Sequence, residues 1–198
     1  MATQNPREEK TVLIVKPDGV KRGLIGEIIS RIEKRGLKII ALEMFQPTRG
    51  QMDDHYPKDQ AWVERLGQKT LKSYSEYGFD AEKELGTKEA AEIGKMVRGW
   101  LLDYMTSSPL VKMIIKGVHA VAMVRKIAGS TMPAAAEMGT IRGDFSVDDA
   151  TAANRDKRAI HNIVHASETS EEAEHEIEHW FSPEEIHDYK RAEEDIMF

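Results

Sequence analysis

His165 is the side chain whose neighbours best equip it for chemistry. It lies in Asn162-Ile163-Val164-His165-Ala166-Ser167-Glu168, where Ile160, Ile163 and Val164 make a short β-rich run with the histidine at its end. Thr169 then opens a helix: Thr169-x-x-Glu172 is a capping box, and Ala173, Ile177, Trp180 and Phe181 keep helical spacing. An imidazole at a strand end, facing a helix start, meets backbone N–H groups and the positive end of a helix dipole, and both favour an anion. Glu176, on the first turns of that helix, can fold back toward the ring. A carboxylate there would fix the tautomer and raise the basicity of the other nitrogen. Taken alone, one His with a nearby Glu more often marks a satisfied structural histidine.

Other charged residues sit in suggestive places. Lys16 leaves a strand into the Lys16-Pro17-Asp18-Gly19 turn, where it can neutralise a phosphate or simply be solvated. Arg125 lies on a helical pattern among Val121, Val124 and Ile127, where snorkelling is the ordinary reading. Arg142, in Gly139-Thr140-Ile141-Arg142-Gly143-Asp144, stands between glycines that let backbone approach a ligand, the alternative being a loop salt bridge with Asp144. Thr131 carries no signal by itself.

The elements that must position these residues are readable from patterning. Thr11–Val15 is a β-branched run, a buried strand closed by the Pro17-Asp18-Gly19 turn. Leu24, Ile25, Ile28, Ile29 and Ile32 form a helical stripe ended by Gly36, and Leu37–Phe45 is a second strand stopped by Pro47. Residues 49–56 form a short helix carrying Tyr56. Two amphipathic helices follow, through Trp62, Val63, Leu66, Leu71 and Tyr74 and then through Ala90, Ile93, Val97, Trp100, Leu101 and Tyr104, the second ended by Pro109. Leu110–Ile115 is a third strand, Val118–Ala128 a helix and Gly129–Asp144 a loop. A polar stretch, Asp148–Arg158, precedes the final strand, and Ser182-Pro183-Glu184-Glu185 opens a last short helix.

That order, β-α-β-(helices)-β-α-β, predicts a ferredoxin-like α+β fold: βαββαβ, a four-stranded antiparallel sheet with helices on its faces plus an inserted helical segment. The chain of 198 residues, 40% hydrophobic and 31% charged, suits one domain, residues 1–198, with insertions at about 57–97 and 148–158. A net charge of −6 argues against a general nucleic-acid or membrane binder. The absence of cysteine excludes disulfides, thiolate catalysis and Cys-ligated zinc. No apolar run approaches the ~20 residues of a bilayer span, and Met1–Lys10 has no apolar secretory region, so a cytoplasmic setting is expected.

The segment Asn162–Glu168 resembles the active-site signature of nucleoside diphosphate kinases, which reads Asn, apolar, any, His, Gly or Ala, Ser, Asp. Glu168 stands where that family has Asp. Further segments resemble the family in order: Thr11–Gly36, His55-Tyr56, Tyr104–Pro109 with Ser108 for a Gly, Gly139–Phe145, and Phe181-x-Pro183-Glu184-Glu185. The likeness covers roughly residues 10–56 and 98–190.

By that resemblance Lys16, Tyr56, Arg125, Thr131, Arg142 and Asn162 fall on the family's phosphate- and sugar-contacting positions. His165 falls on its phosphorylated histidine, and Ser167 and Glu176 on the supporting shell. The activity implied is ping-pong transfer of a γ-phosphoryl group, mainly from ATP, to a nucleoside diphosphate, with Mg2+ carried on the nucleotide phosphates. A homo-oligomer is implied, a hexamer favoured over a tetramer or dimer. Two other readings are a ferredoxin-like RNA-binding module, which would want a basic face and aromatic pairs on its central strands, and a catalytically inactive relative serving as a structural or regulatory subunit.

One departure is large. The family follows His-Tyr with a Lys-Pro-Phe-Phe segment, one phenylalanine of which stacks on the base. Here residues 57–97 intervene, and Val97-Arg98 stands about where the phenylalanines would be. The expectation is a helical hairpin over the nucleotide cleft that returns an aromatic from among Trp62, Tyr74, Tyr77, Phe79 and Trp100, or apolar cover, to the base. The alternative is a hairpin packed on the outside or on a neighbouring subunit.

Overall fold

The computed structural model describes residues 8–197. Its centre is β1 (Glu9–Val15), whose residues Val12–Val15 are fully buried because the strand has neighbours on both sides and helices on both faces. β1 is followed by α1 (Pro17–Lys21) and α2 (Ile25–Lys34), then β2 (Lys38–Phe45) and α3 (Arg49–His55). Three helices follow, α4 (Gln60–Glu76), α5 (Ala81–Leu85) and α6 (Ala90–Met105). β3 (Leu110–Gly117), α7 (Ala120–Ala128), α8 (Ile141–Phe145), α9 (Ala150–Arg155), β4 (Val164–Ala166), α10 (Ser170–Trp180) and α11 (Glu194–Met197) complete the chain. The sheet runs β2-β3-β1-β4, every pair antiparallel, as the ferredoxin-like reading requires.

Strand alternation divides the core in two. Leu13, Val15, Met113 and Ile115 face α2 and α7, meeting Ile28, Ile32 and Val124. Val12, Ile14, Ile40 and Ile114 face α3, α6 and α10, meeting Met52, Leu102, Met105 and Trp180. Each fully buried aliphatic contributes roughly 1.5–3 kcal/mol relative to exposure. A third, smaller cluster of Tyr74, Ala81 and Ile93 belongs to α4, α5 and α6. No helix among the described residues is long and apolar enough to cross a membrane.

Five sequence expectations need correction. The run at Ile160–Val164 is not the last strand: Ile163 has φ of 69°, and β4 is the three residues Val164–Ala166 with His165 at its middle. Gly129–Asp144 is not all loop, because Thr140 accepts a hydrogen bond from the Gly143 N–H at 3.1 Å and caps α8, which places Arg142 on a helix. Residues 57–97 hold a third helix, α5, capped by Asp80, and the polar stretch 148–158 contains α9, capped by Asp149. The segment opened by Ser182 is a single 3-10 turn, Pro183–Glu185, and α11 follows it.

Candidate active site

β4 lies at a sheet edge, with His165 opposite Ile14, so the imidazole shares the face covered by α3, α6 and α10. α10 starts at Thr169, whose hydroxyl accepts from Glu172 N–H at 3.1 Å. The box is only half made, since the Glu172 carboxylate accepts from Glu168 N–H and not from Thr169. Ala173, Glu176 and Trp180 form the buried stripe of α10 at helical spacing. A carboxylate on such a stripe must be satisfied internally. Glu176 is: its Oε1 lies 2.6 Å from His165 Nε2, and its Oε2 accepts from Ser167 Oγ at 2.7 Å. Ser167 Oγ in turn accepts from Val12 N–H at 3.1 Å, tying the pair to β1. An ionised Glu176 requires the proton on Nε2, which leaves the Nδ1 lone pair of His165 free.

α3, capped by the reciprocal Thr48–Gln51 box, ends at His55 and Tyr56 beside this pair. His55 stands edge-on to the His165 ring at 4.8 Å between centroids, and its Nδ1 accepts from Trp180 Nε1 at 3.2 Å. Burial, then the neighbouring His165, holds the His55 pKa well below the ordinary histidine value, so its ring is neutral. The Tyr56 hydroxyl is buried and finds no partner among the described residues. Burial, then the Glu176 charge, raises its phenol pKa, so Tyr56 remains a neutral donor.

A cationic cluster lies next to these rings. Lys16, at the end of β1, is 7% exposed and donates from Nζ to Asn162 Oδ1 at 2.7 Å. Burial, then the nearby Arg142 charge, lowers its pKa to about 7, with Asp18 opposing. Arg142 spends three N–H groups on backbone: Nε on Asn162 O at 3.1 Å, Nη1 on Gly129 O at 2.7 Å and Nη2 on Val164 O at 2.7 Å. Two of its five N–H groups remain for a ligand. Burial, then Arg125, lowers the Arg142 pKa to about 10, against Asp18. The suggested Arg142–Asp144 salt bridge does not form, because Asp144 pairs with Arg31 at 2.7 Å. Lys16, Arg142 and Arg125 thus bring three cations against the single carboxylate of Asp18, and that excess of positive charge favours an anion.

Asn162 Nδ2 donates to Thr131 O at 2.9 Å, so Thr131 joins the cluster by its backbone while its side chain is exposed. Arg125 is half-exposed and pairs with Glu168 at 3.6 Å, not snorkelling alone. The residues singled out from sequence thus form two adjoining groups: His165, Ser167, Glu176 and Tyr56, and Lys16, Arg142, Asn162, Thr131 and Arg125. His55, Asp18 and Tyr104 were missed. A histidine at the end of a short helix was the available signal for His55.

α4 and α6 pack on one another as a hairpin that rests on α9, with Tyr74 O–H donating to Asn154 O at 3.2 Å and Ser73 Oγ 3.0 Å from Thr151 Oγ1. Tyr74 and Phe79 are spent inside the hairpin's own cluster. Trp62 alone among the five aromatics stacks on a site residue, its ring 6.3 Å from Tyr56 with planes at 24°. Val97 packs into the hairpin, and Arg98 holds the end of α3 through Asp53 Oδ1 and, at 2.9 Å, Asp53 O.

Two imidazoles and one carboxylate, from His55, His165 and Glu176, bring ligand atoms within 4.8 Å of one another. Nitrogen-rich ligands already engaged in hydrogen bonds do not suit magnesium, which takes oxygen ligands in octahedral array.

The family model described as nucleoside diphosphate kinase matches residues 9–66 and 90–186. A nucleoside diphosphate kinase of Pyrobaculum aerophilum is 48% identical over 178 residues, 90% of this chain and 97% of the relative. The crystal structure of an NDP kinase from Pyrobaculum aerophilum superposes with a TM-score of 0.87 at 47% identity, covering 90% of this chain and 98% of the other. A transition-state mimic of the Borrelia burgdorferi nucleoside-diphosphate kinase, with vanadate and ADP bound, gives 0.76 at 34% identity over 96% of both chains.

Proposed function

The chain belongs to the nucleoside diphosphate kinase family, and from that premise we propose that His165 accepts the transferred phosphoryl group on Nδ1. The enzyme moves the terminal phosphoryl group of a nucleoside triphosphate to a nucleoside diphosphate. The observation that carries the assignment is the 2.6 Å contact between His165 Nε2 and Glu176, which leaves one ring nitrogen with a free lone pair. That lone pair attacks the γ-phosphorus, the bond from phosphorus to the β–γ bridging oxygen breaks, and the diphosphate leaves with the electron pair. The ring gains positive charge as the N–P bond forms, and the Glu176 carboxylate stabilises it through Nε2–H. A second diphosphate then takes the phosphoryl group by the reverse displacement.

Lys16 and the two spare N–H groups of Arg142 neutralise charge on the transferring group, which dominates catalysis in a loose transition state. Tyr56 O–H and Asn162 serve the same pocket, with Arg125 and the Thr131 segment at its rim. Magnesium enters as part of the nucleotide substrate, held by phosphate oxygens and water. Trp62, stacked on Tyr56, supplies the aromatic surface beside the base. Residues 8–197 act as one catalytic domain carrying the two inserted stretches. A homo-oligomer, a hexamer favoured, fits the exposed Leu42 and Met44 on the edge strand β2, and the acidic balance fits the cytoplasm. Incubation with γ-labelled ATP and a second diphosphate tests the reading. The intact chain transfers label to the diphosphate, whereas folded His165→Ala transfers none. Transfer by that variant would refute it.

A further inference from the structure

Asp18 takes no part in the chemistry above, yet its carboxylate spans three segments. Oδ1 accepts from Gly19 N–H at 2.9 Å and from the Tyr104 hydroxyl of α6. Oδ2 accepts from Ile163 N–H at 3.0 Å. Ile163 is fully buried with φ of 69°, a backbone state that β-branched residues avoid, in a γ-turn closed by Val164 N–H on Asn162 O at 2.7 Å.

The atoms of this turn orient the site. Ile163 O accepts from Lys16 N–H at 2.8 Å, Asn162 Oδ1 from Lys16 Nζ at 2.7 Å, and Asn162 O and Val164 O from Arg142. His165 follows one residue later. A relaxed Ile163 would turn its N–H and the flanking carbonyls away together, and Lys16 and Arg142 with them. We propose that Asp18 is a positioning residue for phosphoryl transfer: it pins the Ile163 turn, and Tyr104 orients its carboxylate. The proposal rests on the reading of His165 given above.

The carboxylate also faces Lys16. The charged and titratable groups around that ammonium are Asp18 from its own turn, Arg142 from α8 with Arg125 behind it, and His55 from α3. The phenols of Tyr104 and Tyr56 complete the surroundings and stay neutral. Asp18 is the anion among them that favours the charged lysine.

The test is single-turnover phosphorylation of the full chain by magnesium ATP, read by rapid quench across pH. Asp18→Ala is expected to slow formation of phosphohistidine at saturating ATP by about 10- to 100-fold, with half-saturation changed by less than about threefold. Asp18→Asn keeps an acceptor for Ile163 N–H, so at pH 6 it returns to within about threefold of the parent rate. Its alkaline limb moves to lower pH, because Lys16 has lost its anion. Tyr104→Phe costs about two- to fivefold. Asp18→Ala at the parent rate with an unmoved alkaline limb in Asp18→Asn would overturn the proposal. Should Asp18→Ala not fold, an unmoved limb in Asp18→Asn together with an unchanged rate in Tyr104→Phe would do so. A parent chain that takes no phosphoryl group on His165 would overturn the underlying reading instead.

Discussion

The site around His165 and the hairpin of α4 and α6 bury side chains of opposite kinds. In the site, Lys16, Arg142, Asn162, Ser167 and Glu176 are all nearly inaccessible, and each is held by hydrogen bonds to named atoms. In the hairpin, Tyr74 and Ile93 pack without charge against Ala81 of α5, and the two helices approach closely at Gly67 and Gly94. A Cβ on Gly67 would stand 1.8 Å from Ala90 O, and one on Gly94 1.9 Å from Val63 O. A region built on polar contacts loses chemistry when one atom changes; a region built on close packing loses stability.

The comparison breaks first, if it breaks, at Lys16 and Arg142. Removing one donor to a developing anion costs about 2.7–4 kcal/mol in comparable sites, so Lys16→Met and Arg142→Met should each lower turnover by two to three orders of magnitude. Lys16→Met sharpens the contrast, because it removes a poorly solvated ammonium from the interior. Its melting temperature should equal or exceed that of the parent while activity falls, whereas near-normal turnover would make Lys16 structural.

Gly67→Ala should do the opposite. Parting α4 from α6 to admit one methyl group is expected to cost about 1–3 kcal/mol of stability, seen in denaturant unfolding, with phosphoenzyme formation intact below the transition. Unchanged stability would mean that the helices separate freely.

Trp62 lies where the two regions meet. Trp62→Ala should weaken nucleotide binding about tenfold, the low end of the 1–3 kcal/mol of a base–aromatic contact. Unchanged affinity would return the hairpin to a purely structural role.

The smallest effect is a fraction of a proton. Bound phosphates favour charged Lys16, so its pKa rises above the free value of about 7 on binding. Binding therefore takes up protons above pH 7 and none well below it, and affinity declines as pH rises. Calorimetry in buffers of different ionisation enthalpy measures the uptake; none at pH 8 would place Lys16 away from the phosphates.

What patterning reveals is what local forces decide. β1 is visible because four consecutive buried β-formers have no other home, and α10 because Thr169 and the Ala173–Trp180 stripe are local signals. Glu176 reaches His165 because β4 leads directly into α10, which sets the two only 11 residues apart. β4 misleads: Ile163 reads as strand, but Asp18 and Lys16, nearly 150 residues earlier, hold it in a turn. α8 hides in a Gly- and Pro-rich stretch, its cap resting on Thr140 alone. The distant partners of Asp18 are Tyr104 and Ile163, so nothing in the Lys-Pro-Asp turn distinguishes it from an ordinary turn aspartate.

The central claim concerns one atom. Glu176 holds His165 Nε2, which leaves Nδ1 to take the phosphoryl group. Phosphorylating the chain uniformly labelled with nitrogen-15 and reading phosphorus–nitrogen couplings by NMR identifies the bonded nitrogen. The expected result is a single phosphohistidine, at His165, with phosphorus on Nδ1 and none after alkaline-stable label is lost in acid. Phosphorus on Nε2, or on any other histidine, would contradict it.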